Sequence, residues 1–309
     1  MTIRSMRRLL LVAAVLGLCA ASRSAAALSV FACEPEWAAL ASELGGDKVE
    51  VFAATKGLQD PHQVQARPAL IARLRNADLA ICTGAELEIG WLPVLQRSAG
   101  NGAVQPGARG FLAAAELIAL KEVPTRLDRA DGDVHPAGNP HIQTDPRNIA
   151  LVGKALTQRL IDLDARNAEH YRARAADFEQ RWTAAIARWQ TQAAPLKGLA
   201  VAVEHRSWVY LLDWLGLREV GAVEPKPGIP PSSGYLAQLV TELPRKETRM
   251  ILYAAYEDPR PAQSVAGRIN VPAVALPFTV GGTDAAKDLF GLFDDTVTRL
   301  LEAMHAGRS

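Results

Sequence analysis

The order of elements predicts an α/β fold of two lobes, each built on a parallel sheet, bridged by one long α-helix. Three observations carry that expectation. Short apolar runs closed by Gly or a polar turn alternate with stretches of helical spacing, the order that parallel sheets require. The same outline occurs twice, once before residue 164 and once after residue 193. Between the two, residues 164–191 contain no Gly or Pro and carry Tyr171, Ala175, Phe178, Trp182, Ile186 and Trp189 on one stripe. At 1.5 Å per residue that stretch is a rod of about 40 Å, the shape of a rigid spacer.

Residues 1–27 read as a secretory signal peptide. Arg4, Arg7 and Arg8 form a charged start, Leu9–Ala21 is an apolar run too short to span a bilayer, and Ala25-Ala26-Ala27 is a small-residue cleavage site. Leu18 precedes Cys19 where a lipidation motif needs a small residue, which argues against a lipid anchor. Cleavage after Ala27 leaves 30 basic and 33 acidic residues, a formal charge of −3. That balance does not support a nucleic-acid partner or a polybasic membrane contact.

The first lobe is expected over residues 28–163. "LSVFACEP" and "KVEVFAATKG" read as strands, and "ADLAICTG" as a buried parallel strand closed by Gly84. From Pro61, "DPHQVQARPALIARLRNA" repeats Val64, Leu70, Ile71 and Leu74 at helical spacing, and "AELEIGWLPVL" opens another helix. Residues 121–140 hold Asp, Gly, Pro and His without periodicity, so they form a loop, and loops of that length are usually functional. "TDPRNIALVGKALTQRLIDLD" has a capping Asp or Thr, a first-turn proline and apolar spacing of three and four. The linking helix spans 164–193, and the second lobe 194–309. Its strands are "GLAVAVEHRSW", "GLREVGAV", "RMILYA" and "VPAVALPFTV". A helix precedes the third of these, and "KDLFGLFDDTVTRLLEAMHA" is the terminal helix. Cys33 and Cys82 each end a strand. If the first and third strands are neighbours, about 4.8 Å apart, the two cysteines meet the spacing of a disulfide, which export permits. Two buried thiols are the alternative.

Of six histidines, His170 and His305 read as solvated. His62, His141 and His205 each sit where a strand or loop enters a helix, and open parallel sheets bind ligands outside the carboxyl ends of their strands. Neutral imidazole is the commonest zinc ligand, and a tetrahedral site takes about four donors. Histidines so far apart in the chain reach one ion only if the two lobes close on it. HExxH and CxxC are absent, so no local metalloenzyme or zinc-finger motif is present.

These residues carry a family resemblance. "QDPHQVQARPALIARLRNADLAICTGAELEIGWL", "GNPHIQTDPRN", "VEHRSWVYLLDWLGL" and "ILYAAYEDPRPAQSVAGR" occur in an order that resembles the zinc and manganese solute-binding proteins of ABC transporters, from about residue 28 to the end. The resemblance implies a metal between the lobes, with His62, His141 and His205 as ligands. It implies a C-terminal carboxylate as the fourth ligand, best met by Asp284 after Gly281-Gly282, with Asp288 or a water as the alternative. Many zinc members carry a His-rich tract in the loop. Here the loop holds only Asp128, Asp131, Asp133 and His135, which form either a plain acidic loop or a reduced metal-gathering loop.

Three imidazoles and one carboxylate favour Zn²⁺ over Mn²⁺, because a harder ion wants more oxygen. The expectation is a periplasmic monomer that is not an enzyme. It binds Zn²⁺ as transported cargo, receives it from a periplasmic zinc chaperone and delivers it to an inner-membrane permease. Manganese or iron binding is the alternative within the class. A secreted zinc hydrolase is the alternative outside it; Glu34, Glu204 and Glu257 are its candidate bases, but no spacing ties them to the histidines. Glu34, Trp37, Glu86, Glu88 and Trp91 follow strands. They either support ligand histidines or cap helices and fill the core.

Overall fold

The computed structural model describes residues 27–126 and 135–306. The expected signal peptide and Asp128, Asp131 and Asp133 of the loop lie outside the described residues.

Two four-stranded sheets are present, and every pairing in both is parallel. The first holds β1 (Leu28–Ala32), β2 (Val49–Ala53), β3 (Leu79–Cys82) and β4 (Phe111–Ala113) in the order β2-β1-β3-β4. The second holds β5 (Ala200–Val203), β6 (Arg218–Ala222), β7 (Met250–Ala254) and β8 (Ala273–Leu276) in the order β6-β5-β7-β8, the same topology. Strands β3, β5 and β7 are buried throughout and β1 from Val30 on, as their apolar runs require. The pairing of Ala32 with Ile81 sets Cys33 beside Cys82, and the two form a disulfide with their Cα atoms 4.8 Å apart.

The first sheet is covered by α1 (Pro35–Gly45), α2 (Pro68–Arg75) and α3 (Leu92–Ala99), and α4 (Pro146–Leu163) leaves the lobe. The linking helix α5 runs Ala168–Ala193. The second lobe adds α6 (Val209–Leu215), α7 (Ser233–Glu242), α8 (Pro259–Ile269) and α9 (Leu289–Ala306). Elements α1, β4 and α8 go beyond the sequence reading. The cap of α4 is the expected one: the Asp145 carboxylate accepts from the Arg147 amide at 2.8 Å, with Pro146 next.

Two helices of the first lobe start later than expected. The stretch from Pro61 is not helical until Pro68, because Arg67, as the residue before a proline, is held extended at φ −81°, ψ 151°. His62 therefore lies in a loop, where Asp60 accepts from its backbone amide at 2.9 Å. The helix expected from Ala85 starts at Leu92, because Gly84, Ala85 and Glu86 all have positive φ (80°, 50° and 66°) and form a left-handed turn instead.

One apolar core runs through both lobes, and α5 is its spine. The Trp182 ring lies 5.2 Å from Phe178, 5.2 Å from Trp189 and 4.9 Å from Phe290 of α9. Trp182 donates its indole N–H to the Pro146 carbonyl at 2.8 Å, and Trp189 donates to Asp294 at 2.6 Å. The linker is thus packed against α4 on one side and α9 on the other, and an apolar junction of that kind resists free hinge motion. The lobes also touch directly. The Thr279 hydroxyl donates to the Glu36 carboxylate, and Gly57 packs so closely on Gly281 that a Cβ there would stand 2.1 Å from the Gly281 carbonyl carbon.

Candidate metal centre

Four imidazoles meet between the sheets. The His62 ring lies 5.4 Å from His141, 5.9 Å from His205 and 5.5 Å from His135, and His141 lies 5.6 Å from His205 and 6.2 Å from His135. Three ring nitrogens are buried without a hydrogen-bond partner: Nε2 of His62, Nε2 of His135 and Nδ1 of His141. Residues His62, His135 and His141 offer donor atoms that all lie within 4.8 Å of one another. Nitrogens buried without a partner are costly, and a shared cation is the simplest group that satisfies them together.

Each histidine is held by its own element. His62 follows β2 in the 54–67 loop, which is anchored where Trp91 donates its indole N–H to the Pro61 carbonyl at 2.9 Å. Its Nδ1 meets the Asp60 carboxylate at 2.8 Å, an arrangement that puts the proton on Nδ1 and leaves Nε2 with a free lone pair. His141 is fully buried. Asn139 accepts from its backbone amide at 3.0 Å, and Phe278 packs edge-on 5.4 Å away. His205 follows β5 directly, and its Nδ1 meets Glu224 at 2.7 Å, the same device as at His62.

The electrostatics keep donors ready. Burial pushes the His135 pKa down to about 4, with repulsion from His62 and His205 adding to it. Burial and the three neighbouring imidazoles hold His141 well below its ordinary value. Both therefore stay neutral, as ligands must be. Burial opposes charge on His205 as well, but the Glu224 carboxylate outweighs it and raises that pKa. A cleft of about 790 Å³ is lined in part by His135, His141, His205, Glu122 and Arg206.

The structure thus brings the rings of His62, His141 and His205 near one another and adds His135, which, rather than His205, shares the tight donor group with His62 and His141. Asp284 stands apart. It is exposed, and the carboxylates that act on His205 are Glu224, Glu257 and Asp60. The turn that carries it is tied to the second lobe, where the Gly281 amide bonds the Ala286 carbonyl at 2.6 Å and Thr283 donates to Asp295 of α9 at 2.5 Å. Asp288 accepts from the Gly291 amide at 2.8 Å and serves the start of α9.

The residues after the strands have other work. Glu34 accepts from the Thr83 hydroxyl, and Glu88 from the Thr83 and Gly84 amides at 2.7 and 3.0 Å. Trp37 and Trp91 are buried, and Glu86 is exposed. Sequence reasoning missed the roles of Asp60 and Glu224. Asp60 had a signal in its place two residues before His62; Glu224 had none.

Two α/β lobes on one linking helix, with imidazole donors gathered where they meet, form the frame of a two-lobed solute-binding protein. The profile of the family described as "zinc-uptake complex component A periplasmic" matches residues 30–303. The chain belongs to this family, the metal-binding, substrate-binding proteins of ABC transporters. It is similar to the high-affinity zinc uptake system protein ZnuA of Bacillus subtilis, with 22% identity over 262 residues that cover 84% of this chain and 80% of that protein. It is also similar to the manganese ABC transporter substrate-binding lipoprotein PsaA of Streptococcus pneumoniae, with 21% identity over 281 residues and 87% of each chain covered. A crystal structure of ZnuA shares the fold with a TM-score of 0.73 at 21% identity, over 88% of this chain and 99% of that one.

Proposed function

We propose that this chain is the zinc-carrying component of an ABC importer, exported through residues 1–27 and working as a monomer in the periplasm. It is not an enzyme: Zn²⁺ is its cargo, held by His62, His141 and His205 and passed to the membrane permease. The observation that carries the reading is the convergence of ring nitrogens left without partners beside two imidazoles held by carboxylates. Nitrogen-rich donor sets favour zinc over manganese, which prefers oxygen. That chemistry weighs for zinc where the relatives include both zinc and manganese carriers.

Competition of the metal-free chain with a chromophoric chelator tests the reading. We expect one Zn²⁺ per chain, bound far more tightly than Mn²⁺. The variant with His62, His141 and His205 all changed to Ala loses this binding. Wild-type affinity in that variant, or a preference for Mn²⁺, overturns the assignment. Delivery by a periplasmic chaperone belongs to the same reading, and transfer from a zinc-loaded donor protein faster than from free chelate is its measure.

A further inference from the structure

We propose that the fourth ligand to the ion is Nε2 of His135, so that the site is all-imidazole and His135 sets its preference for zinc. The proposal rests on the reading of the chain as a metal carrier and deepens it.

The first ground is the donor atom itself. His135 Nε2 is in the same condition as His62 Nε2 and His141 Nδ1: buried and without a partner. It belongs with them to one group of donors within 4.8 Å of each other, and the His62 and His135 rings face at 5.5 Å. Tetrahedral zinc holds nitrogen at about 2.0–2.1 Å, which puts donors roughly 3.4 Å apart, so a small inward movement of the rings completes the set.

The second ground is how the ring is held. Its other nitrogen bonds the backbone of Ala85, which fixes the proton there and leaves Nε2 free. Ala85 is the middle of the left-handed turn Gly84-Ala85-Glu86. Alanine and glutamate at positive φ are costly, and such strain persists only where the surroundings impose it. Here the Glu88 carboxylate imposes it, by accepting from the Thr83 and Gly84 amides at the mouth of the turn. An unfavoured backbone conformation therefore presents its middle residue to the ligand ring.

The third ground is the lack of a competitor. Asp284 is exposed, Asp60 and Glu224 are already engaged by Nδ1 of His62 and His205, and Glu257 accepts from the Ala254 amide at 2.6 Å. Four nitrogens suit Zn²⁺ and disfavour Mn²⁺, which carboxylate and water serve better.

The test replaces zinc by Co²⁺ in the purified chain and reads the visible absorption, which is intense for four-coordinate cobalt and weak when water raises the coordination number. The variants are His135→Ala, Asp284→Ala and, as a positive control, His62→Ala. Melting of the metal-free variants checks that each folds. We expect His135→Ala to lose most of the band and about 10- to 100-fold in zinc affinity, Asp284→Ala to match wild type, and His135→Asp to narrow the gap between Zn²⁺ and Mn²⁺. If His62→Ala changes the spectrum and His135→Ala does not, His135 is only a packing neighbour and the proposal fails while the carrier reading stands. A changed spectrum in Asp284→Ala alone makes that carboxylate the fourth ligand. No cobalt or zinc binding by wild type overturns the carrier reading itself.

Discussion

The two sheets superimpose in logic and diverge in chemistry. The Cys33 amide bonds the Ile81 carbonyl at 2.8 Å, and the Glu204 amide bonds the Leu252 carbonyl at 2.7 Å. The Thr55 amide bonds the Cys33 carbonyl, and the Glu224 amide bonds the Glu204 carbonyl. By that register Cys33 corresponds to Glu204, Glu34 to His205 and Thr55 to Glu224. At one place in one topology, the first lobe has a disulfide and a buried carboxylate, and the second has an imidazole with a carboxylate to orient it. The carboxyl end of a central parallel strand is a platform, and what stands on it is free to differ. The first lobe brings its histidines from loops beyond the platform: His62 after β2, and His135 and His141 from the connection into α4. The second lobe offers one imidazole, His205, straight off β5. A staple lies under the first lobe's platform, and the second lobe, which offers one imidazole, has no cysteine to form one.

The largest effect that sharpens this contrast comes from the staple. Cys33–Cys82 closes a loop of 49 residues, and removing such a crosslink costs about 4 kcal/mol in the chain-entropy model. The Cys33→Ala/Cys82→Ala variant is expected to lower the urea midpoint by an amount of that order. An unchanged midpoint would mean that sheet pairing alone fixes the first lobe.

Next come the two carboxylates that orient imidazoles, one in each lobe. Asp60→Asn and Glu224→Gln keep the size of the side chain and weaken the hold on Nδ1. Each is expected to reduce zinc affinity by about 10- to 100-fold, the usual cost of losing such a partner. Titration calorimetry compares them. Equal losses would mean that both lobes grip the ion alike; a loss at Asp60 only would make His205 a late, weakly held ligand.

How far the sequence shows this site depends on where its information is local. His62, His141 and His205 were legible because each stands at a strand or loop end within a short motif. The parallel lobes were legible from "VFA", "LAIC", "AVAV" and "MILYA", whose unbroken apolar character requires burial on both faces. His135 offered no pattern, since an Asp-, Pro- and Gly-rich loop has no period to say where a side chain points. Glu224 reaches His205 only through the register of β5 and β6, which pairs Val203 with Ala222. Asp284 was placed by resemblance alone, and its turn is hydrogen-bonded to α9 through Thr283 and Asp295. The start of α2 was misjudged because Pro61 and Pro68 are both acceptable first-turn prolines, and only the second has a free run of helix formers after it.

The smallest effect concerns the contact that joins the two lobes. Glu36 of α1 is buried, and burial raises its pKa to about 7 against the bonds from Thr279 and its own backbone, with Glu88 adding repulsion. Between pH 4.5 and 7 the folded chain therefore holds a proton there that the unfolded chain has released. Stability from this group is complete below the unfolded value and is lost as pH rises through the folded one. Glu36→Gln keeps an oxygen for the Thr279 hydroxyl and removes the ionisation. The metal-free variant should accordingly melt with wild type at pH 4 and above it at pH 8, by on the order of 1–3 kcal/mol. Some slope should remain in the variant, because burial also raises Glu34 and Glu88 beside it. Parallel melting curves across that range would mean that Glu36 ionises at no cost, and the bond between the lobes would then be indifferent to pH. A curve flattened only in the variant would place the pH sensitivity at the hydrogen bond by which Glu36 of α1 in the first lobe meets Thr279 in the loop after β8 of the second.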